Sequence, residues 1–102
     1  MVEAINVAEK WEDELRAWKL DSPPIEEVEH NSYNESYDWA EGILFRLASG
    51  QFATIIDGGC SCRWFGEDGN SVKYYQNLTD ALRDYNEWKA EEDKSTYWTR
   101  RE

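Results

Sequence analysis

The sequence predicts an α+β fold with an N-terminal helix, an antiparallel sheet of three or four strands built on a hairpin, and a C-terminal helix. Apolar residues recur with a helical period near both ends of the chain, and two short apolar runs in the middle flank a glycine turn. A length of 102 residues is typical of one domain. We predict a single domain, 1–102, containing a helix (3–20), an acidic aromatic connector (21–41), a sheet (42–76), a helix (79–92) and a tail (93–102).

The first predicted helix is defined by apolar residues at i, i+3, i+4 and i+7. They are Ala4, Val7, Ala8, Trp11, Leu15 and Trp18. We expect the face that carries the two tryptophans to pack on the sheet. The alternative is that this face binds a partner or a second copy of the chain. The helix is expected to end before Pro23 and Pro24, because proline does not continue a helix and disfavours helix at the preceding residue.

The connector is acidic, and aromatic residues are interleaved with its acids. No Lys or Arg occurs between Lys19 and Arg46. The acids in that gap are Asp21, Glu26, Glu27, Glu29, Glu35, Asp38 and Glu41. Residues 1–41 contain twelve acids and three bases, a net −9 of the chain's total of −11. This asymmetry favours a directed electrostatic interface, and the alternative is a solvated connector anchored by its rings.

The predicted hairpin consists of the runs 43–48 and 52–57. Ser49 and Gly50 form its turn, where glycine supplies a positive φ without steric cost. Both faces of the hairpin carry apolar residues, so we expect each to be covered, one by each helix.

Two further strands and the second helix follow the hairpin. Gly58 and Gly59 are expected to break the second strand, and further strands are expected at 60–65 and 72–75. Thr79 is the predicted N-cap of the second helix, with Asp80 in its first turn.

Cys60 and Cys62 are the candidate metal or redox residues. A zinc site built from them would also use His30 and Asp57, but two thiols one residue apart lack the spacing typical of zinc sites. A disulfide between positions i and i+2 is sterically awkward. The favoured interpretation is two thiols at a tight glycine corner, with no cofactor. The sequence also has no phosphate-loop or nucleophile-elbow motif, so we predict that the protein is not an enzyme.

The charge of the chain argues against several classes of partner. A net charge of −11 and a pI near 4.4 oppose direct binding to nucleic acid or to an anionic membrane, and favour a protein with a basic surface. The sequence has no apolar stretch long enough to span a membrane, and it does not begin like a signal peptide. The expected location is therefore the cytoplasm.

Residues 36–88 combine a Tyr/Trp-rich acidic lead-in, a hairpin, a Gly-Cys-Ser-Cys corner and a closing helix. The residues that mark these features are Tyr37, Trp39, Gly59, Cys60, Ser61, Cys62 and Leu82. In these residues the chain resembles a group of small uncharacterised actinobacteriophage proteins. The resemblance implies a phage source, and with it the cytoplasm of the host cell as the expected location.

These observations predict a non-enzymatic acidic phage protein that binds and inhibits a host protein with a basic, nucleic-acid-binding surface. Anti-defence proteins of the anti-CRISPR type act in this way, some of them as DNA mimics. The predicted partner-binding residues are Glu26, Glu27, Glu29, Tyr33, Glu35, Tyr37, Asp38, Trp39 and Glu41. The alternatives are a metal- or redox-linked module using Cys60 and Cys62, and a self-associating accessory protein. We expect a monomer or a weak homodimer.

Overall fold

The computed structural model describes residues 10–12, 15, 18–35, 38–60 and 72–94. Four strands lie in these ranges, β1 (Pro24–Glu35), β2 (Asp38–Leu47), β3 (Phe52–Cys60) and β4 (Val72–Tyr75), followed by helix α1 (Leu78–Lys94). The strands form one antiparallel sheet in the order β1-β2-β3-β4. The predicted α+β class, the four-stranded antiparallel sheet and the C-terminal helix are therefore confirmed.

The segment 21–41 is predicted as a connector outside the sheet of residues 42–76, and this boundary is wrong. This segment contains all of β1 and the beginning of β2, so the sheet begins at Pro24 rather than at residue 42. The register of β1 against β2 shifts between Pro24 and Glu26 and again between Glu27 and Glu29. Such irregularities add a residue to one strand and interrupt its alternation of faces. The regular part, 29–35, has only one aromatic residue, Tyr33, and no aliphatic one, so no part of the strand shows apolar residues with a period of two.

The predicted hairpin is confirmed as β2 and β3. Gly50 in its turn has a φ of 96°, the conformation that glycine adopts without steric cost. The predicted strand break at Gly58 and Gly59 is wrong, because these residues pair with Ala40 and Trp39 within the ladder. A Cβ on Gly58 would lie 3.1 Å from the Trp39 carbonyl oxygen, so this glycine permits close approach of two backbones.

The predicted strands after the hairpin have different outcomes. The expected strand at 72–75 is confirmed as β4, which pairs with β3. The expected strand at 60–65 lies outside the described residues beyond Cys60, the last residue of β3.

Each face of the sheet packs against a different part of the chain. On one, the tryptophan face, Trp11 and Trp18 join a buried cluster. Its strand residues are Ile43, Phe45, Leu47, Ala53 and Ile55. On the other, the helix face, Ala81 and Tyr85 of α1 are buried with Leu44. The prediction that both faces are covered is therefore confirmed, although only α1 is described as a complete helix.

The predicted N-terminal helix, 3–20, lies largely outside the described residues. No N-terminal helix is among the elements that the structure describes. Within the described part, the Leu15 N–H donates to the Trp11 carbonyl (2.9 Å) and the Lys19 N–H to the Leu15 carbonyl (3.2 Å). Lys19 has a φ of 52°, a left-handed conformation that does not continue a right-handed helix.

Helix α1 begins one residue before the predicted start, and its cap is Asn77 rather than Thr79. The Asn77 side-chain oxygen accepts a hydrogen bond from the Asp80 N–H (2.9 Å), and its amide donates to the Asp80 carboxylate (3.2 Å). Asn satisfies the exposed N–H groups of a first turn at least as well as Thr. The predicted tail begins inside α1, which continues to Lys94, and its remainder lies outside the described residues.

Gly42 lets α1 approach β2 closely. A Cβ at this position would lie 2.6 Å from Cζ3 of Trp88. We expect Gly42→Ala to lower the free energy of unfolding by about 1 kcal/mol, the low end of overpacking costs, because the half-buried Trp88 ring can shift outward. Urea unfolding followed by circular dichroism measures this. The control is the same substitution in a Trp88→Leu background, where the ring that the added Cβ would meet is absent. Gly42→Ala should cost less there, and an equal or larger cost would contradict the interpretation.

Candidate protein-binding surface

The strands divide the predicted partner-binding residues between the two faces of the sheet. Glu27 pairs with Phe45, so it lies on the tryptophan face, as do Trp39 and Glu41. Glu29 pairs with Leu44 and therefore lies on the helix face. The residues on the helix face are Glu26, Glu29, Tyr33 and Asp38. The base-free segment thus forms an acidic two-stranded ribbon with acids on both sides, which we call the β1–β2 ribbon (24–35 and 38–47).

Glu27 joins the ribbon to the N-terminal segment. Its Oε1 accepts hydrogen bonds from Lys10 Nζ (2.9 Å) and from Trp11 Nε1 (3.1 Å). Burial alone would raise the pKa of Glu27, but these two donors, together with the charge of Lys10, lower it. The carboxylate therefore fixes the tryptophan that covers this face.

We expect Glu27→Gln to lower the free energy of unfolding by about 0.5–1 kcal/mol at pH 7, because Gln keeps an acceptor for Trp11 but loses the charge that pairs with Lys10. A lowered pKa in the folded state means that this stabilisation is present above the unfolded pKa, near 4.5, and is lost as the pH falls through the folded value. The free energies of unfolding of the two proteins should therefore converge as the pH falls below about 4.5. A difference in the free energy of unfolding that does not change with pH would contradict the role assigned to the charge of Glu27.

Glu41 occupies the centre of the ribbon on the tryptophan face. Its Oε2 lies 2.6 Å from Nε2 of His30, and Asp57 stands directly opposite it on β3. Two carboxylates directly opposite each other repel, and the imidazole on the other side relieves this when it is protonated. The Asp57 carboxylate also accepts a hydrogen bond from the Gly58 N–H (2.8 Å).

Tyr33 and Trp39 are half-buried and contribute to the packing of the sheet. The Tyr33 hydroxyl donates to Asp93 of α1 (2.7 Å), and its ring meets the Trp88 ring edge-on at 5.8 Å. Trp39 packs against the cluster on the tryptophan face. These two rings of the predicted surface are therefore engaged within the molecule.

Glu26 and Asp38 lie near the edge and the end of the ribbon. Glu26 accepts hydrogen bonds from Arg46 (2.9 Å), and both side chains are about half exposed, at 53% and 50%. Asp38 is exposed at the first position of β2. Glu35 ends β1, although its side chain is outside the description, and Tyr37 lies outside the described residues altogether.

The weak metal site proposed from sequence is not assembled by the residues that can be located. Of that set, His30 pairs with Glu41, and Asp57 bonds to the backbone. The Cys60 side chain and all of Cys62 lie outside the described residues. In the part of the chain that is described, no three His, Cys, Asp or Glu side chains are grouped to hold a metal ion.

A groove of about 900 Å³ between α1 and the β3–β4 edge did not follow from the sequence reasoning. Ile56, Tyr75 and Trp88 supply apolar and aromatic surface to it. Its charged lining residues are Lys73, Asp84, Glu87, Glu91 and Lys94. The helix side of the groove has a signal in the sequence. The spacing i, i+3, i+4, i+7 places positions 84, 87, 88 and 91 on one face of a helix. Since acids and bases are mixed here, the groove has no single charge preference.

No protein-family model, curated protein or solved structure matches this chain. Interpretation of the surface therefore rests on its own geometry and charge. In the described ranges, no helix combines the length and the apolar character that crossing a membrane requires.

Proposed function

We propose that this chain is a non-enzymatic binding protein whose acidic β1–β2 ribbon engages a basic, nucleic-acid-binding surface on a host protein and blocks it. A phage source and action in the host cytoplasm are part of this proposal, as is the absence of direct binding to nucleic acid. The observation that carries it is the placement of the base-free segment. Its acids are gathered in one ribbon of two neighbouring strands rather than spread along a connector.

Internal ion pairs reduce the local field of the ribbon without removing its charge excess. Glu26, Glu27 and Glu41 each have a basic group nearby, in Arg46, Lys10 and His30. The whole chain nevertheless has 22 acids against 11 Lys and Arg. A net charge of this size accelerates encounter with a basic protein and disfavours encounter with phosphate backbones.

The test compares the chain with a variant in which three ribbon acids are neutralised, Glu26→Gln, Glu29→Gln and Asp38→Asn. Tagged protein is incubated with an actinobacterial lysate, and the captured proteins are purified. We expect them to include nucleic-acid-binding proteins whose affinity for duplex DNA, measured by fluorescence anisotropy, falls when the chain is added. The ribbon variant should lose this effect, because three acids of the proposed binding surface are neutralised. Its fold should be retained, because Glu27, which fixes Trp11, is left unchanged.

The matched control removes the same number of charges from α1, through Glu87→Gln, Glu91→Gln and Glu92→Gln. This variant should retain capture and inhibition if the ribbon is the binding surface. Equal losses in the two variants would indicate a dependence on net charge alone. Captured proteins that bind DNA equally tightly with and without the chain would contradict the proposed function.

A further inference from the structure

The groove between α1 and the β3–β4 edge has an apolar floor. Ile56, Tyr75 and Trp88 line it, and each of these side chains is half-buried. Its volume of about 900 Å³ is that of clefts that bury most of the surface of a small molecule. Covering the half-buried rings removes apolar surface from water, which is favourable. The groove therefore has both the space and the apolar surface to bind several side chains.

Although the groove carries both signs of charge, its acids and its bases lie in different places. The acids Asp84, Glu87 and Glu91 follow one another on a single face of α1. The bases are Lys73 on β4 and Lys94 in the last turn of the helix. Glu87 and Glu91 are exposed, and neither forms an ion pair with another described side chain. The α1 wall of the groove therefore favours a cationic occupant.

Residues 95–102, which follow α1 directly, have a composition that fits this groove. They contain two large rings, Tyr97 and Trp98, which suit the apolar floor. They also contain two cations, Arg100 and Arg101, against a single acid. In a chain of net charge −11, this segment therefore offers the cationic and aromatic side chains that the groove favours.

Charge and connection argue against the two other long stretches outside the described residues. Residues 1–9 have two acids and no Lys or Arg, and residues 61–71 have two acids and one Arg. Residues 1–9 also lead into Lys10, which pairs with Glu27 on the opposite face of the sheet. Of the three stretches, 95–102 is therefore the favoured occupant.

The connection from α1 to the groove is short. Lys94, the last residue of α1, itself lines the groove, so the next residues begin at one of its ends. From Lys94 back to Asp84 the helix rises roughly 15 Å. Five extended residues span roughly 17 Å. The eight residues 95–102 therefore suffice to reverse direction and to follow α1 back to Asp84.

We propose that this groove is the docking site of residues 95–102 of the same chain. The rings of Tyr97 and Trp98 cover its apolar floor, and Arg100 and Arg101 pair with the acids of α1. This contact is separate from the ribbon, so it neither requires nor excludes the proposed function.

A zero-length cross-link locates the docked segment in the full chain. Arg101→Lys keeps the positive charge and supplies an amine, which a water-soluble carbodiimide joins to a carboxylate in contact with it. The amide C–N bond forms, and the carbodiimide takes up the elements of water and becomes a urea. We expect mass spectrometry of the monomer to find position 101 joined to Glu87 or to another acid of the groove. The link between Lys10 and Glu27, which lie 2.9 Å apart, is the internal reference.

A second measurement tests the contribution of the charges. Chymotrypsin cleaves after aromatic residues, and mass spectrometry identifies the fragments that are cut after Tyr97 or Trp98. Cleavage follows the population in which the segment is undocked. Glu87→Gln combined with Glu91→Gln should therefore raise the rate of this cut about three- to tenfold at low salt, because two exposed ion pairs are lost.

The matched control, Glu26→Gln combined with Glu29→Gln, removes the same charge from the ribbon and should leave the rate of the cut unchanged. Added salt screens exposed ion pairs. It should therefore accelerate the cut in the chain without substitutions but not in the groove variant.

Several results would overturn the inference. If position 101 were joined only to acids outside the groove, or to none while Lys10 and Glu27 are joined, the groove would not be the docking site. Covalent dimers linked between position 101 and Glu87 would assign the groove to the same segment of a second copy. Equal acceleration of the cut in the groove variant and the control, or no acceleration in either, would exclude the proposed ion pairs.

Discussion

Phe45→Ala is expected to lower the free energy of unfolding by about 3–5 kcal/mol, the largest effect of a single substitution that we predict. Phe45 is fully buried on the tryptophan face. Its ring centroid lies 5.7 Å from that of Trp18 and 6.4 Å from that of Trp11. Truncation removes apolar contact and leaves a cavity between large rings that cannot collapse fully. Because a typical domain is stable by 5–15 kcal/mol, this loss is a large fraction of the total.

Urea unfolding followed by circular dichroism measures this loss, and Phe52→Ala is the control. Phe52 lies on the helix face, where it is only half-buried, so its truncation should cost clearly less. If the two variants lost the same stability, the cluster around Trp11 and Trp18 would not be the principal core. In that case the assignment of Glu27 as the residue that fixes Trp11 would also lose its importance.

Tyr85→Phe is expected to lower the free energy of unfolding by about 1–3 kcal/mol, although it removes only one oxygen atom. The Tyr85 ring is fully buried, and its hydroxyl lies 2.9 Å from the Gly42 carbonyl oxygen and 2.8 Å from Asn31 Oδ1. Through these contacts α1 is joined to β2 and to the edge strand β1. Phe fills the same space but leaves the buried Gly42 carbonyl and the half-buried Asn31 side chain without this partner.

The cost of Tyr85→Phe should depend on pH in the alkaline range. Burial, together with the charge of Glu29, raises the pKa of Tyr85 above its ordinary value of 10. Since the folded pKa is raised, the stabilisation is present below about pH 10 and is lost as the pH rises further. The stabilities of the two proteins should therefore converge above pH 10.

Tyr74→Phe is the control for this experiment. The Tyr74 hydroxyl accepts a hydrogen bond from the exposed Asp21 N–H (3.1 Å), so its loss should lower the free energy of unfolding only slightly. A similar cost for Tyr74→Phe and Tyr85→Phe, or a pH-independent cost for Tyr85→Phe, would contradict the role assigned to the buried hydroxyl.

Local signals predicted part of the candidate surface and of the fold. The hairpin followed from two apolar runs around Gly50, and α1 followed from the spacing of Ala81, Leu82, Tyr85 and Trp88. The acids of the surface could be named because the absence of Lys and Arg from 20 to 45 is a property of the sequence. In contrast, β1 did not follow from the sequence, because its two register shifts and the polar composition of 29–35 leave no alternation of apolar residues. The strand is stabilised by its pairing with β2, and such pairing between strands cannot be predicted from a local sequence pattern.

The sequence by itself determined the charge of this protein, its concentration in the first 41 residues, and the presence of a hairpin and a closing helix. These follow from composition and from contacts between residues near one another in the chain. Only the tertiary structure decided that the acidic segment is an edge strand, that Glu27 and Glu29 lie on opposite faces, and that Tyr33 packs against α1. Those outcomes depend on pairing and burial between distant residues, whose free energies exceed local preferences.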